Sequence, residues 1–176
     1  MLKIARLIGH PLKWQQPRLK MEYELLTGDT LAATLNFRSS WGTLAFAESG
    51  DGKWTFKRIG FFQNRATIRV DGSEEEAAVF FNNTWRQGGT LEFASGRTYK
   101  ATTNFWMTKM EWQSEDEQPL VGFKIGGFFK HSAEVEINPQ AADLEELPLL
   151  VLFGWYLVLM LHRDTAAAST AAAASS

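Results

Sequence analysis

From Met21 to Ile137 the chain sets short aromatic and β-branched runs between turn residues at roughly eight- to twelve-residue intervals, the pattern of an all-β sandwich or barrel. Within the runs the side chains alternate. Trp54 and Phe56 fall on one face and Lys53, Thr55 and Lys57 on the other, while Ala66, Ile68 and Val70 oppose Arg65, Thr67 and Arg69. One face is dry and the other wet. The spacing predicts about twelve strands, beginning with Met21 to Leu26, Leu31 to Arg38, Gly42 to Glu48, Lys53 to Ile59, Arg65 to Val70 and Ala77 to Phe81. They continue with Thr90 to Phe93, Arg97 to Thr102, Met107 to Gln113, Leu120 to Lys124, Phe128 to Lys130 and Ala133 to Ile137. The pairs Gly28-Asp29, Asp51-Gly52, Asp71-Gly72 and Ser95-Gly96 are hairpin turns, because glycine accepts positive φ at little cost, and they make consecutive strands antiparallel neighbours.

One segment departs from this pattern. Leu147 to Leu161 carries no charge and is apolar on every side, so an apolar medium must surround it. Asp143, Glu145 and Glu146 precede it and His162 and Arg163 follow it, the polarity that a helix dipole favours. The pattern predicts a helix over about 147–162, with Pro148 in its first turn and its cap at either Leu147 or Asp143. Fifteen helical residues span only about 22 Å, short of the roughly 30 Å of a bilayer's hydrocarbon. Tilted strands of six or seven residues enclose an interior of similar height, and a ring of about twelve is too wide for side chains alone to fill. The leading expectation is therefore a mainly β fold, a closed antiparallel barrel of about twelve strands around a central hydrophobic C-terminal helix. The alternative is a tail-anchored membrane protein with a cytosolic β domain.

At the ends, residues 1–20 form a basic lead-in with Lys3, Arg6, Lys13, Arg18 and Lys20 and no acid, and lack the apolar run of a secretory signal. That points to a cytoplasmic protein, peripheral at the membrane if at all. Residues 165–176 contain only Ala, Ser and Thr, a flexible tail outside the fold unless the alanines carry the helix on for a turn or two. The barrel domain is accordingly 21–164.

Composition narrows the function. The 176 residues suit one domain, and 18 Lys+Arg against 20 Asp+Glu give a net charge of −2, so nucleic acid is not an expected partner. With 13 Phe, 7 Trp and no Cys, disulfide, thiol and zinc-thiolate chemistry are excluded. His10, His131 and His162 stand far apart in sequence, and no nucleophile elbow or phosphate-cradling glycine loop occurs, so neither a metal nor a cofactor nor catalysis is expected. The acids of Ser114 to Gln118 read as a charged hairpin tip, and the acceptor sequence Asn82-Asn83-Thr84 carries little weight without a secretory signal.

The surface feature with chemical content is the row Lys53, Lys57, Arg65 and Arg69 on the outward faces of two neighbouring strands, a candidate ligand-binding face for phosphate or an anionic head group. Like charges so close destabilise one another unless carboxylates intervene, so the row is either offset by acids on the next strand or kept for binding. Protection of a strand edge by charge is the competing account. Arg58 differs, because alternation turns it toward the Trp54 and Phe56 face, where it stacks on a ring or pairs with an acid at the rim.

The strand order with its helix, and the stretches DGKWTFKRIGFF at Asp51 to Phe62 and ELPLLVLFGWYLVLMLHRD at Glu146 to Asp164, resemble the tubby C-terminal-like superfamily. That group includes LURP-one-related proteins and phospholipid scramblases, and the chain looks like a small prokaryotic-type member over roughly Met21 to Arg163. The resemblance implies lipid-related roles, since tubby domains bind phosphoinositide head groups through Lys and Arg on the barrel surface. It does not carry scrambling or calcium binding here, because the chain has no Cys for palmitoylation and no acidic cluster spaced as a calcium loop. The expected function is a non-enzymatic binding or scaffold module that recognises anionic phospholipid or a phosphorylated ligand at the basic strand face.

Overall fold

A computed structural model of the chain describes residues 1–18, 20–59, 64–84, 88–126 and 131–174, with side chains left aside at Asn83 and Thr84. Twelve antiparallel strands among these residues close into one barrel: β1 (Leu12–Gln15), β2 (Glu22–Thr27), β3 (Thr30–Phe37), β4 (Ala45–Ser49), β5 (Gly52–Ile59), β6 (Arg65–Val70), β7 (Glu76–Thr84), β8 (Gly88–Phe93), β9 (Thr98–Thr103), β10 (Lys109–Gln113), β11 (Pro119–Gly126) and β12 (Ser132–Ile137). Each strand pairs with its neighbours in sequence, and the ring closes where β1 pairs with β12, Trp14 opposite Ala133. Helix α1 (Leu147–Ala174) follows, and its residues Leu147 through Leu161 are all buried inside the ring.

Alternation explains the fit. The buried positions that line the interior mix small residues, as at Ala47, Ala66, Ala78, Ala101 and Ala133, with aromatic ones, as at Trp14, Phe56, Phe80, Trp112 and Phe123. Trp14 stacks on Trp155 with centroids 5.8 Å apart, and Phe153 meets Phe56 edge-on at 5.2 Å. The helix approaches β10 and β11 most intimately at Gly154, where a Cβ would lie 2.5 Å from the Phe123 ring and 2.7 Å from Trp112 Nε1. Trp112 Nε1 donates to the Leu150 carbonyl at 2.8 Å, one turn earlier in the helix.

Two boundaries differ from the sequence expectation. The stretch read as a lead-in supplies β1, whose Leu12 and Trp14 are buried while Lys13 and Gln15 face outward or to the side; ahead of it a short 3-10 turn, Ile4–Leu7, buries Ile4 and Leu7. Four residues bracketed by Pro11 and Pro17 are too few to display a period. The tail is helical to Ala174, since alanine continues a helix already nucleated inside the barrel. The strand expected over Phe128 to Lys130 lies outside the described residues. The helix begins at Leu147, with the Glu146 carbonyl accepting from Leu150 N at 3.0 Å, so Glu146 rather than Leu147 or Asp143 stands at the cap.

Candidate functional site

The basic strand face is assembled as alternation predicts, but it is largely neutralised. In the register Thr55 faces Arg69, Lys57 faces Thr67 and Ile59 faces Arg65, so the four cations do share the outer wall of β5 and β6. Lys53 Nζ lies 3.2 Å from Glu48 on β4, and Glu76 on β7 takes Arg65 at 2.8 Å and Arg69 at 3.7 Å. Lys57 is exposed and makes no ion pair among the described residues. Of the two outcomes the sequence left open, offsetting carboxylates are present for three of the four. Such half-exposed pairs contribute about 0–1 kcal/mol each, so they leave the arginines able to exchange partners.

The richer chemistry sits at the two barrel ends. Where α1 enters, Glu146 is buried, accepts from Arg97 Nη1 at 2.9 Å and from the Tyr99 hydroxyl at 3.2 Å, and closes the floor. Burial first, and then the Glu146 charge, push the Tyr99 hydroxyl up to about 12.

Where α1 leaves, Arg58 is 7% exposed and forms a two-pronged pair with Asp164 at 2.9 and 2.8 Å, the rim acid anticipated from its inward position. Arg163 lies over the Phe37 ring at 4.6 Å and donates to the carbonyls of Gly42, at 2.9 Å, and of Ser40. The Tyr156 hydroxyl donates to the Thr43 carbonyl at 2.8 Å. The residues 38–44 between β3 and β4 are thus tied to the helix from two sides. A groove of about 760 Å³ runs beside them, between Trp41 and the helix extension at Ala167 and Ala171.

The same end holds a pair that sequence separation concealed. His131, just before β12, and His162, in the helix, stack with centroids 4.9 Å apart and planes 18° apart. Burial lowers both imidazole pKa values below the usual 6.5, and His131 lowers His162 further.

A closed twelve-stranded barrel threaded by its own C-terminal helix is therefore the class of fold. The X-ray structure of a protein from Arabidopsis thaliana is similar, with a TM-score of 0.54 over 90% of this chain and 93% of that one. Identity is 10%, a likeness that shows the fold. No family model matches the sequence, and no curated protein matches it.

Proposed function

We infer that this chain is a non-enzymatic module that binds an anionic ligand through the outside of its barrel. The observation that carries this reading is the occupied interior. In an up-and-down barrel the lumen is where a small ligand would sit, and here fifteen consecutive helix residues, Leu147 to Leu161, fill it. Binding falls to the surface, where Lys57 and the loosely compensated Arg65 and Arg69 offer cationic hydrogen-bond donors. Kinship with the tubby C-terminal-like superfamily belongs to the same proposal, supported by the strand order and the central helix. The alternative reading, α1 as a tail anchor, is disfavoured because the helix's apolar residues already have an apolar environment inside the barrel.

The test is co-sedimentation of the full chain with phosphatidylserine–phosphatidylcholine vesicles against phosphatidylcholine alone, with inositol hexakisphosphate as soluble competitor. Selective sedimentation is the expected result. Competition by the soluble phosphate assigns the site to phosphorylated groups in general, and its failure assigns it to the lipid surface. Equal partition into neither vesicle, together with no binding of the soluble phosphate, refutes the reading.

A further inference from the structure

We propose that the barrel docks end-on to an anionic bilayer, seating the rim from which α1 emerges in the lipid–water interface. This rests on the reading of the chain as a surface-binding module for anionic ligands, and it names both the surface and the partner.

The two ends of the barrel are chemically opposite. Up-and-down connectivity sends the β1–β2, β3–β4 and β9–β10 connections to the end where α1 leaves, and β2–β3, β4–β5, β6–β7, β8–β9 and β10–β11 to the end where it enters. At the entry end the connections carry Asp29, Asp51, Asp71, Glu74, Glu75 and the run Glu115-Asp116-Glu117 against the one cation Arg97, and no aromatic residue. The segment before β1, with Lys3, Arg6 and the exposed Met1 and Leu2, also lies at this end, where acids still outnumber cations. At the exit end the described connections carry Arg18, Lys20 and Arg38, no carboxylate, and the three most exposed large apolar residues: Trp41 at 98%, Phe105 at 84% and Trp106 at 76%. The other exposed aromatics, Phe46 and Phe81, lie on the outer wall toward this same end, in the second residue of β4 and opposite Arg65, the first residue of β6. Residues 60–63, 85–87 and 127–130, between β5 and β6, β7 and β8, and β11 and β12, lie outside the described residues.

The exposed rings are held out by built structure. Asn104 staples its loop, its Oδ1 accepting from the backbone N–H of Thr108 at 2.8 Å and of Lys109 at 2.9 Å. Met107 adopts φ 53°, a left-handed conformation that costs a side-chain-bearing residue energy, and Phe105 and Trp106 meet edge-to-face at 5.1 Å. The Trp41 loop is pinned by Arg163 and Tyr156 as described. A strained or stapled turn that presents two aromatics to water serves no packing purpose in the monomer, whereas amphipathic rings at a membrane interface gain from partial burial.

The geometry also fixes the partner. The β3–β4 and β9–β10 connections are half a circuit apart in the ring of twelve, so the aromatic contacts fall on opposite sides of the rim and set the barrel axis upright on a flat surface. The exit-end connections carry cations and no acid, and the Asp164 carboxylate at this rim is taken up by Arg58, so the rim complements anionic lipid while the acidic entry end points away from it. Beyond Asp164 the helix extension contains no charged residue through Ala174, so no ionised side chain on it must be desolvated as the rim seats.

The experiment uses the full chain and phosphatidylserine–phosphatidylcholine vesicles, comparing the wild type with Trp41→Ser/Phe105→Ser/Trp106→Ser and with Lys57→Glu/Arg65→Gln/Arg69→Gln. The aromatic variant keeps the wild-type melting temperature, because its positions are exposed, and its vesicle partition coefficient falls by about tenfold per ring removed. If the aromatic variant partitions like the wild type while the strand-face variant is lost, end-on docking is overturned and surface binding of anionic ligand stands. A wild type that ignores these vesicles yet binds inositol hexakisphosphate also overturns docking alone, and one that binds neither removes both.

Discussion

Gly154 is the position where the packing of helix against barrel makes its sharpest prediction. In an isolated or lipid-embedded helix, replacing glycine by alanine favours the helix by about 1 kcal/mol, because alanine loses less backbone entropy. Inside the barrel the new methyl would stand 2.5 Å from the Phe123 ring and 2.7 Å from Trp112 Nε1, both on fully buried side chains. Overpacking of this kind costs about 1–3 kcal/mol. Moving the Trp112 ring also loosens its 2.8 Å hydrogen bond to the Leu150 carbonyl, a further loss of about 1 kcal/mol. The terms sum to a net destabilisation of about 1–3 kcal/mol, or a fall in Tm of roughly 2–10 °C for a chain of this size. Gly154→Leu, with more atoms to place, falls further. Thermal unfolding followed by near- and far-ultraviolet circular dichroism reads the effect. A Gly154→Ala protein as stable as the wild type, or more so, refutes the close approach of α1 to β10 and β11.

Two other perturbations follow from the exit rim. Asp164→Asn strands a guanidinium that is almost wholly buried, whereas Arg58→Met leaves behind only a partly exposed carboxylate; the first costs about 1–3 kcal/mol by denaturant titration and the second less, an order that equal or reversed losses would contradict. The stacked histidines predict acid sensitivity: both folded pKa values lie below the usual 6.5, so their contribution is complete above about pH 6.5 and is lost as pH falls through the folded values. Replacing His162 with Gln removes one proton-binding ring stacked on His131, whose other neighbour is the Tyr23 ring, and the Tm of the variant declines less steeply between about pH 6.5 and 4.5 than that of the wild type.

Much of this fold was readable because hydrophobic burial writes itself into periods. The two-residue alternation of Lys53 to Ile59 and Arg65 to Val70 located β5 and β6 to within a residue or so and turned Arg58 inward, toward the acid it meets at the rim. The all-apolar run at Leu147 announced an element buried on every side, and the ring that surrounds it supplies that environment. What stayed hidden was short or non-local. β1 is four residues between prolines, and its place is set by pairing with Val135 and Ala133 more than a hundred residues away. The His131–His162 stack, and the sharing of Glu76 by two arginines, are consequences of register and of the helix's rotation, which periodicity does not specify. The exposed rings of Trp41, Phe105 and Trp106 did leave a signal: large apolar residues in connections on one side of the strand alternation and acids in those on the other.

The central claim is that α1 is the core of the barrel, and its most direct test is truncation after Glu146. Fifteen buried helix residues contribute on the order of 2 kcal/mol each, far beyond the roughly 5–15 kcal/mol of net stability typical of a domain. The truncated chain, expressed alone and measured by circular dichroism and amide proton NMR dispersion, is predicted to be insoluble or unfolded. A soluble truncated chain with dispersed β-sheet resonances would contradict it.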